Sequence, residues 1–559
     1  MTITLDPARI GAQLDSAFDR LTTSGFADAL WARSPDIWSP DRAVQDKIAN
    51  RLGWLSVLDF VMPALDRLRG FAEGVRAGGF SDVVLLGMGG SSLAPEVMRQ
   101  VLGVTPGYPR FRMLDSVDPD AVRQAMANAE TSLFVFASKS GSTIEPNVMA
   151  AEARRRVEAA GHAEWGSRFV AITDENTALH KRAMAERFRD VFVNPADIGG
   201  RYSALSYFGL VPAALMGVNL DRLLDSARAM ADACRMPDAR ENPGLSLGAL
   251  MAAGAQAGRD KLTLVVPPQL ASFGLWVEQL VAESTGKQGK GVVPIAGETP
   301  TAAYGSDRIG VAVRLGDAAP DAGPVERLRA SGAPMATLAM ADRSALGAEF
   351  FRWEVATAAC GWLLSINPFD EPNVQQAKDA TKALLDRYVS ERRLPAPEPQ
   401  ASRNGARMTL SGAAQDGLGG EPPDRFLRLL TPGDYFGLLV YVSPGSEDLA
   451  GPLERLRDEV ARRSRCATMF GYGPRYLHST GQLHKGGPNS GVFLVIVAEP
   501  REDLPIPGER FSFTVLEHAQ GIGDFESLDK AGRRALLVHL PRGDAAALTG
   551  MADRLLAEI

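Results

Sequence analysis

The chain has 559 residues, 45% hydrophobic and 23% charged, with a net charge of −7. That length exceeds a single hydrophobic core and implies two to four domains of ordinary globular composition. The negative balance argues against a nucleic-acid partner, so an anionic ligand has to be captured by local geometry rather than by a global positive field.

Residues 10–79 show a helical pattern, with Leu14, Phe18 and Leu21, then Leu52, Leu55 and Leu58, recurring at helix-like intervals. Residues 1–79 therefore read as a helical lead-in that covers a sheet. From residue 80 short apolar strands alternate with amphipathic helices. Strands are expected at 82–87, 132–137, 168–172, 190–193 and 262–266, and helices at 94–103, 145–159, 204–216 and 272–285. This alternation implies an α/β protein with doubly wound, mostly parallel sheets whose ligands bind at the carboxyl ends of the strands. A first such domain is assigned to 80–240. A second, 241–392, adds strands near 309–315 and 335–340 and long helices near 347–366 and 373–391. The Pro/Gly-rich stretch 393–424 reads as a linker. It leads to a smaller C-terminal αβ unit, 425–559, with strands near 435–442, 491–497 and 535–540 and a helix near 543–557.

Cys234, Cys360 and Cys466 lie far apart and form no CxxC pair, so they read as reduced, mostly buried thiols. The six histidines form no metal-type cluster; His478 and His484 have no carboxylate or cysteine between them, and no metal is expected. The opening Met1-Thr2-Ile3-Thr4-Leu5-Asp6 lacks a signal-peptide pattern, and the apolar runs are too short or too interrupted to span a bilayer. A cytoplasmic protein without a membrane partner is the expectation.

Five segments carry chemistry. Gly87-Met88-Gly89-Gly90-Ser91-Ser92 follows the first strand; its glycines let backbone approach a ligand, though a tight turn would look the same. Ser138-Lys139-Ser140-Gly141-Ser142-Thr143 follows the second strand and opens a helix. Its hydroxyls and free amides suit a phosphate monoester better than a mere helix cap. In Gly199-Gly200-Arg201-Tyr202-Ser203 a glycine pair presents an arginine, which could serve an anion or a structural salt bridge. Gln279 and Glu283 share one helix face near the helix end, where Glu283 could act as a general base or be a solvated glutamate. The fifth is a pair: Asn367-Pro368-Phe369-Asp370-Glu371-Pro372-Asn373 leads to Lys378, and a glycine-flanked loop carries His478.

In combination these segments resemble the glucose-6-phosphate isomerase family, built from two sugar-isomerase (SIS) domains of flavodoxin-like, parallel-sheet type. Loop 87–92 looks like the family's GIGGS motif and 138–143 like its SKT-type phosphate loop. Residues 199–203 are similar to its GGRYS segment, Gln279 to Ser284 to its Q…ES segment, and 367–378 to its FDQ…K segment. His478-Ser479-Thr480-Gly481-Gln482 looks like the HxxxQ segment, but it follows Lys378 instead of preceding it. Gly141 stands where an aromatic residue is common, and Glu371 where Gln is common. The linker and terminal unit resemble the isomerase half of fused transaldolase–isomerase proteins.

The resemblance implies interconversion of glucose 6-phosphate and fructose 6-phosphate through a cis-enediolate, without metal or redox cofactor. Glu283 would be the base, Lys378 and His478 would open the ring, and Arg201 would stabilise the enediolate. Gly89, Gly90, Ser91, Ser138, Lys139, Ser140, Ser142, Thr143 and Gln279 would bind the substrate. A homodimer is implied as well. An isomerase of another sugar phosphate, such as mannose 6-phosphate, and a non-catalytic SIS-type sensor stay open as alternatives.

Overall fold

The computed structural model describes residues 2–299 and 303–559. The chain opens with strand β1 (Ile3–Asp6), followed by the helices of the lead-in, among them Gly11–Thr23 and Leu65–Ala77. A first sheet holds β2 (Asp82–Leu86), β3 (Arg110–Leu114), β4 (Ser132–Ala137), β5 (Phe169–Asp174) and β6 (Asp190–Asn194) in the order β3-β2-β4-β5-β6, all parallel. Its switch point lies between β2 and β4, the strands that precede the glycine loop 87–92 and the serine loop 138–143.

The second sheet combines β7 (Lys261–Val265), β8 (Val293–Ile295), β9 (Arg308–Leu315) and β10 (Met335–Met340) with β1, in the order β1-β10-β9-β7-β8. β1 is the antiparallel edge strand, pairing Ile3 with Leu338. The lead-in is therefore not purely helical; Ile3-Thr4-Leu5-Asp6 alternates as a half-buried edge strand should. The third sheet contains β11 (Ala401–Arg403), β12 (Ala406–Leu410), β13 (Tyr435–Tyr441), β14 (Ala467–Tyr472), β15 (Gly491–Ala498) and β16 (Arg534–Leu540), ordered β11-β12-β16-β15-β13-β14.

One expectation about the C-terminal part is corrected here. The sheet of the terminal unit, with β11 and β12 added at its edge, has six strands among the described residues against five in each of the others. The stretch 393–424 is not a linker throughout. Its Pro-rich start is irregular, but 401–410 forms a hairpin whose second strand pairs antiparallel with β16. The hairpin turn is Asn404-Gly405, both at positive φ (51° and 80°), the conformation that a two-residue turn between twisted strands requires. Strands β3, β8 and β14 and the helices Glu447–Ser464 and Phe513–Lys530 also lie outside the expected set.

The inner strands β2, β4 and β5 of the first sheet are buried on both faces, and alternate residues enter different cores. Val83, Leu85, Leu133 and Val135 join a cluster shared with the lead-in and the second unit, while Val84, Leu86, Phe134 and Phe136 join one shared with the third unit. The helices Pro243–Gln256 and Leu346–Leu363 are buried almost all round and lie inside the first of these cores. Cys234, Cys360 and Cys466 are buried free thiols. Among the described residues no helix is long and apolar enough to cross a membrane.

Candidate active site

Three loops meet because glycines at their contact points leave no room for a side chain. Gly89 has φ +55°, and a Cβ there would lie 2.6 Å from the His478 carbonyl oxygen and 3.0 Å from Gln279 Nε2. A Cβ on Gly90 would lie 2.0 Å from the Gly200 carbonyl oxygen. The turn after β2, the Gly199-Gly200-Arg201 turn and the His478 segment after β14 are thus pressed backbone to backbone. They surround a cavity of about 180 Å³, whose walls include Gly89, Gly90, Arg201, Gln279, Glu283, Glu371, Lys378 and His478.

Glu283 sits in the last turn of the helix Phe273–Thr285, the connection after β7, and its side chain is 13% exposed. Gln279, one turn earlier, places Nε2 3.4 Å from Glu283 Oε2 and donates to the His478 carbonyl at 2.9 Å. Gln279 Oε1 is buried without a partner among the described residues, an acceptor left open beside the cavity. Burial pushes the Glu283 pKa up; the Arg201 guanidinium opposes this, and the neighbouring Glu371 adds to it. The net direction is upward, which suits a base that has to hold a proton briefly near neutral pH.

Arg201 is held at every nitrogen. Nε donates to Ser284 Oγ at 2.8 Å, Nη2 to the Pro368 and Asp370 carbonyls at 2.8 and 3.0 Å, and Nη1 to Glu371 Oε2 at 3.0 Å. The same Nη1 lies 3.4 Å from Glu283 Oε1, so two carboxylates share one end of the guanidinium. Burial alone would raise the Glu371 pKa, but Arg201 outweighs it and holds this carboxyl below its ordinary value. Lys287, packed behind, donates to the Asn367 carbonyl at 2.6 Å and to Asp370 at 2.7 Å, and burial brings its pKa down to about 8.

His478 Nε2 lies 2.9 Å from Glu145 Oε1, which also accepts from Gln520 Nε2 at 2.7 Å. Burial pushes Glu145 up, yet His478 and Lys378 together pull it below the ordinary glutamate value. The carboxylate form therefore persists and fixes the imidazole. Gln482 ties the elements together: it accepts from the Asn373 amide at 2.8 Å and donates to the Gly286 carbonyl at 3.0 Å. That joins the end of the Glu283 helix to the start of the helix Val374–Glu391, which carries Lys378.

Lys378 and His478 also line a second cavity of about 360 Å³ with Ser140, Ser142, Thr143, Gln375 and Lys382. Gly141 has φ +68° and packs on Leu179, and its amide donates to Ser138 Oγ at 3.2 Å. Ser140 and Ser142 hydroxyls bond to each other at 2.9 Å, and Thr143 is the residue before the helix Ile144–Ala159. The loop thus presents hydroxyls and helix N-terminal amides to this cavity.

Three of the expected ligand residues stand elsewhere. Ser91 and Ser138 are buried and belong to neither cavity wall. Lys139 faces the Glu283 cavity, not the serine pocket, with its ammonium bonded to Asp174 and the Ala196 carbonyl. Conversely, sequence pattern does not mark Glu145, Gln375, Lys382 or Gln520 as site residues. Glu145 looks in sequence like an ordinary acidic residue in a first helical turn, and only the fold brings it to His478.

The family model for phosphoglucose isomerase matches residues 47–307. A glucose-6-phosphate isomerase of Prochlorococcus marinus (strain MIT 9313) is 30% identical over 434 residues, covering 68% of this chain and 78% of that protein. One of Parasynechococcus marenigrum (strain WH8102) is 31% identical over 399 residues, covering 64% and 71%. Among solved structures, a hypothetical protein of Thermus thermophilus is similar with a TM-score of 0.57 at 24% identity, covering 68% of this chain and 99% of that one. A glucose-6-phosphate isomerase from Chlamydia trachomatis D/UW-3/Cx gives 0.52 at 19% identity, covering 68% and 86%. At these identities the two structures speak for a shared fold.

Proposed function

The chain belongs to the phosphoglucose isomerase family, and from that membership we propose that it interconverts glucose 6-phosphate and fructose 6-phosphate by moving a proton between C2 and C1. The observation that carries this reading is the placement of Glu283. It is a carboxylate of raised pKa, 3.4 Å from a fully held arginine, on the wall of a small polar cavity that adjoins a hydroxyl-lined one.

The substrate spans both cavities. Its phosphate lies against Ser140, Ser142, Thr143 and the N-terminal amides of the helix Ile144–Ala159, and its reacting carbons lie near Glu283. Lys378 and His478, which border both cavities, act on the ring. One accepts the O1 proton while the other delivers a proton to the ring oxygen, and the C1–O5 bond breaks. Glu145 holds His478 Nε2, leaving Nδ1 to exchange protons with the sugar. Glu283 then removes the C2 proton, and the electron pair moves into a C1–C2 double bond with negative charge on O1. Arg201 stabilises that enediolate. Glu283 returns the proton to C1, the C2 hydroxyl proton passes to O1, and the ketose results with no net redox change. Gln279 Oε1 takes a hydrogen bond from a substrate hydroxyl. Lys139, Ser91 and Ser138 support the loops and leave the direct phosphate contacts to others.

His478 reaches this cavity from within its own chain, which supports action in cis. A homodimer, implied by the family, would then not be needed to complete the site.

The test is turnover of fructose 6-phosphate coupled to glucose-6-phosphate dehydrogenase, for the wild type and Glu283→Gln. Loss of about 10²–10⁴-fold in kcat with sugar-phosphate binding retained is expected, the usual worth of a general base. Turnover retained in the variant overturns the assignment of the base. Wild-type binding without turnover overturns the activity.

A further inference from the structure

The sequence shows no metal-type grouping of histidines, but the register of the third sheet creates one. His539 lies on β16 opposite Val497 of β15, Glu499 follows directly after β15, and His518 lies on the helix Phe513–Lys530. One ligand atom from each of the three lies within 4.8 Å of the others. Glu499 Oε1 is 2.8 Å from His539 Nε2 and 3.9 Å from His518 Nδ1. Tetrahedral binding at bond lengths of about 2.0–2.1 Å needs separations of about 3.3 Å, between these two values. We propose that Glu499, His518 and His539 form a binding site for a divalent cation of the zinc class, with a fourth position open to water. This site is separate from the isomerase cavity.

The hydrogen bonds behind the ligands support the assignment. His518 Nε2 lies 3.2 Å from the Ala498 carbonyl, which can only accept, so Nε2 carries the proton and Nδ1 presents its lone pair toward Glu499. At 3.9 Å that lone pair is too far from Glu499 for a hydrogen bond, a spacing that suits an ion between them. Access is provided as well. Glu499 lines a cavity of about 400 Å³ whose walls carry Asp118, Asp120, Asp448 and Asp544 against a single arginine, Arg501. Such an acidic mouth concentrates cations.

One contact opposes the ion. The guanidinium of Arg407, exposed on β12, donates to His539 Nδ1 at 2.9 Å. That forces the proton onto Nε2, where it bonds to Glu499. Binding a metal at Nε2 transfers this proton to Nδ1 and displaces Arg407. Arg407 is thus a competitor whose removal should tighten the site.

The experiment titrates the metal-free full-length chain with Co²⁺ and reads the visible absorption of tetrahedral cobalt, then displaces it with Zn²⁺. One strongly absorbing Co²⁺ per chain, displaced by Zn²⁺, is expected. Glu499→Gln and His539→Gln, both at accessible positions, should each weaken binding by at least about tenfold. Arg407→Ala should tighten it by about fivefold, the worth of one net hydrogen bond. Isomerase activity serves as the folding control for each variant. No stoichiometric tetrahedral band, or a band unchanged in Glu499→Gln, overturns the proposal.

Discussion

In the cavity around Glu283 nearly every charged group already has a fixed partner, whereas in the adjoining cavity the hydroxyls of Ser140 and Ser142 bond to each other. The first arrangement is rigid. Arg201 alone ties together the helix Phe273–Thr285 and the 368–371 segment, and Lys287 and Gln482 brace them from behind. The second can rearrange, because hydroxyl rotors exchange one acceptor for another at little cost. The difference follows from what each end has to do. A developing enediolate is stabilised only by dipoles and charges already in place when it forms. A phosphate brings its own charge and needs only enough donors to anchor it.

If that division holds, substitutions in the first cavity should lower kcat, and substitutions in the second should raise KM. The largest change among the residues around the base is expected for Arg201→Lys. An ammonium keeps the charge but cannot serve Ser284, two carbonyls and two carboxylates at once. A loss of about 10²–10³-fold in kcat is expected, the scale for one preorganised electrostatic donor. Steady-state kinetics that show a pure KM change would erase the contrast between the cavities.

Glu145→Gln comes next. The amide keeps the shape but loses the charge that fixes His478 Nε2. About tenfold in kcat is expected, rising toward a hundredfold if the ring moves by about 1 Å. The double variant with Gln520→Ala should add little, because both residues act on one imidazole. Ser140→Ala with Ser142→Ala probes the other end: KM should rise about tenfold or more while kcat stays within about threefold, the cost of lost hydrogen bonds to a charged group. A kcat loss as large as that of Arg201→Lys would show that the serines also position the reacting carbons.

The parts of this division that are local in sequence are legible there. The runs before loops 87–92 and 138–143 are buried on both faces, so they stand out as uninterrupted apolar strands ending in small residues. Gln279 and Glu283 share a face because one helical turn separates them. The partners of these residues are not legible. Glu145 follows a strand of the first sheet and His478 a strand of the third, and no periodicity links them. Lys139 resembles a phosphate ligand because the loop is short, but its length lets it reach past the loop to Asp174 and the Ala196 carbonyl. The Asn404-Gly405 hairpin is legible in principle, since Asn-Gly between strand-like runs is a strong turn signal. The prolines just before it mask that signal. The Glu499, His518 and His539 grouping exists only through sheet register, which one sequence does not reveal.

The smallest and most diagnostic effect concerns Glu371. Its Oε2 lies 3.0 Å from the same Arg201 nitrogen that approaches Glu283 at 3.4 Å. Two consequences follow from its charge, and both act on Glu283 in the same direction. Its own field disfavours ionisation of Glu283, and by occupying Arg201 it dilutes the attraction that would favour ionisation. Glu371→Gln should therefore lower the pKa of Glu283. A base works only when deprotonated, so kcat/KM rises with pH through that pKa. The acid limb of the profile should move to lower pH, by less than about one unit given the solvent at the cavity mouth. A limb that moves to higher pH would mean that Glu371 had been holding Arg201 toward Glu283, and the rigid cavity would then depend on this carboxylate. A limb that does not move while kcat falls would place Glu371 on the substrate.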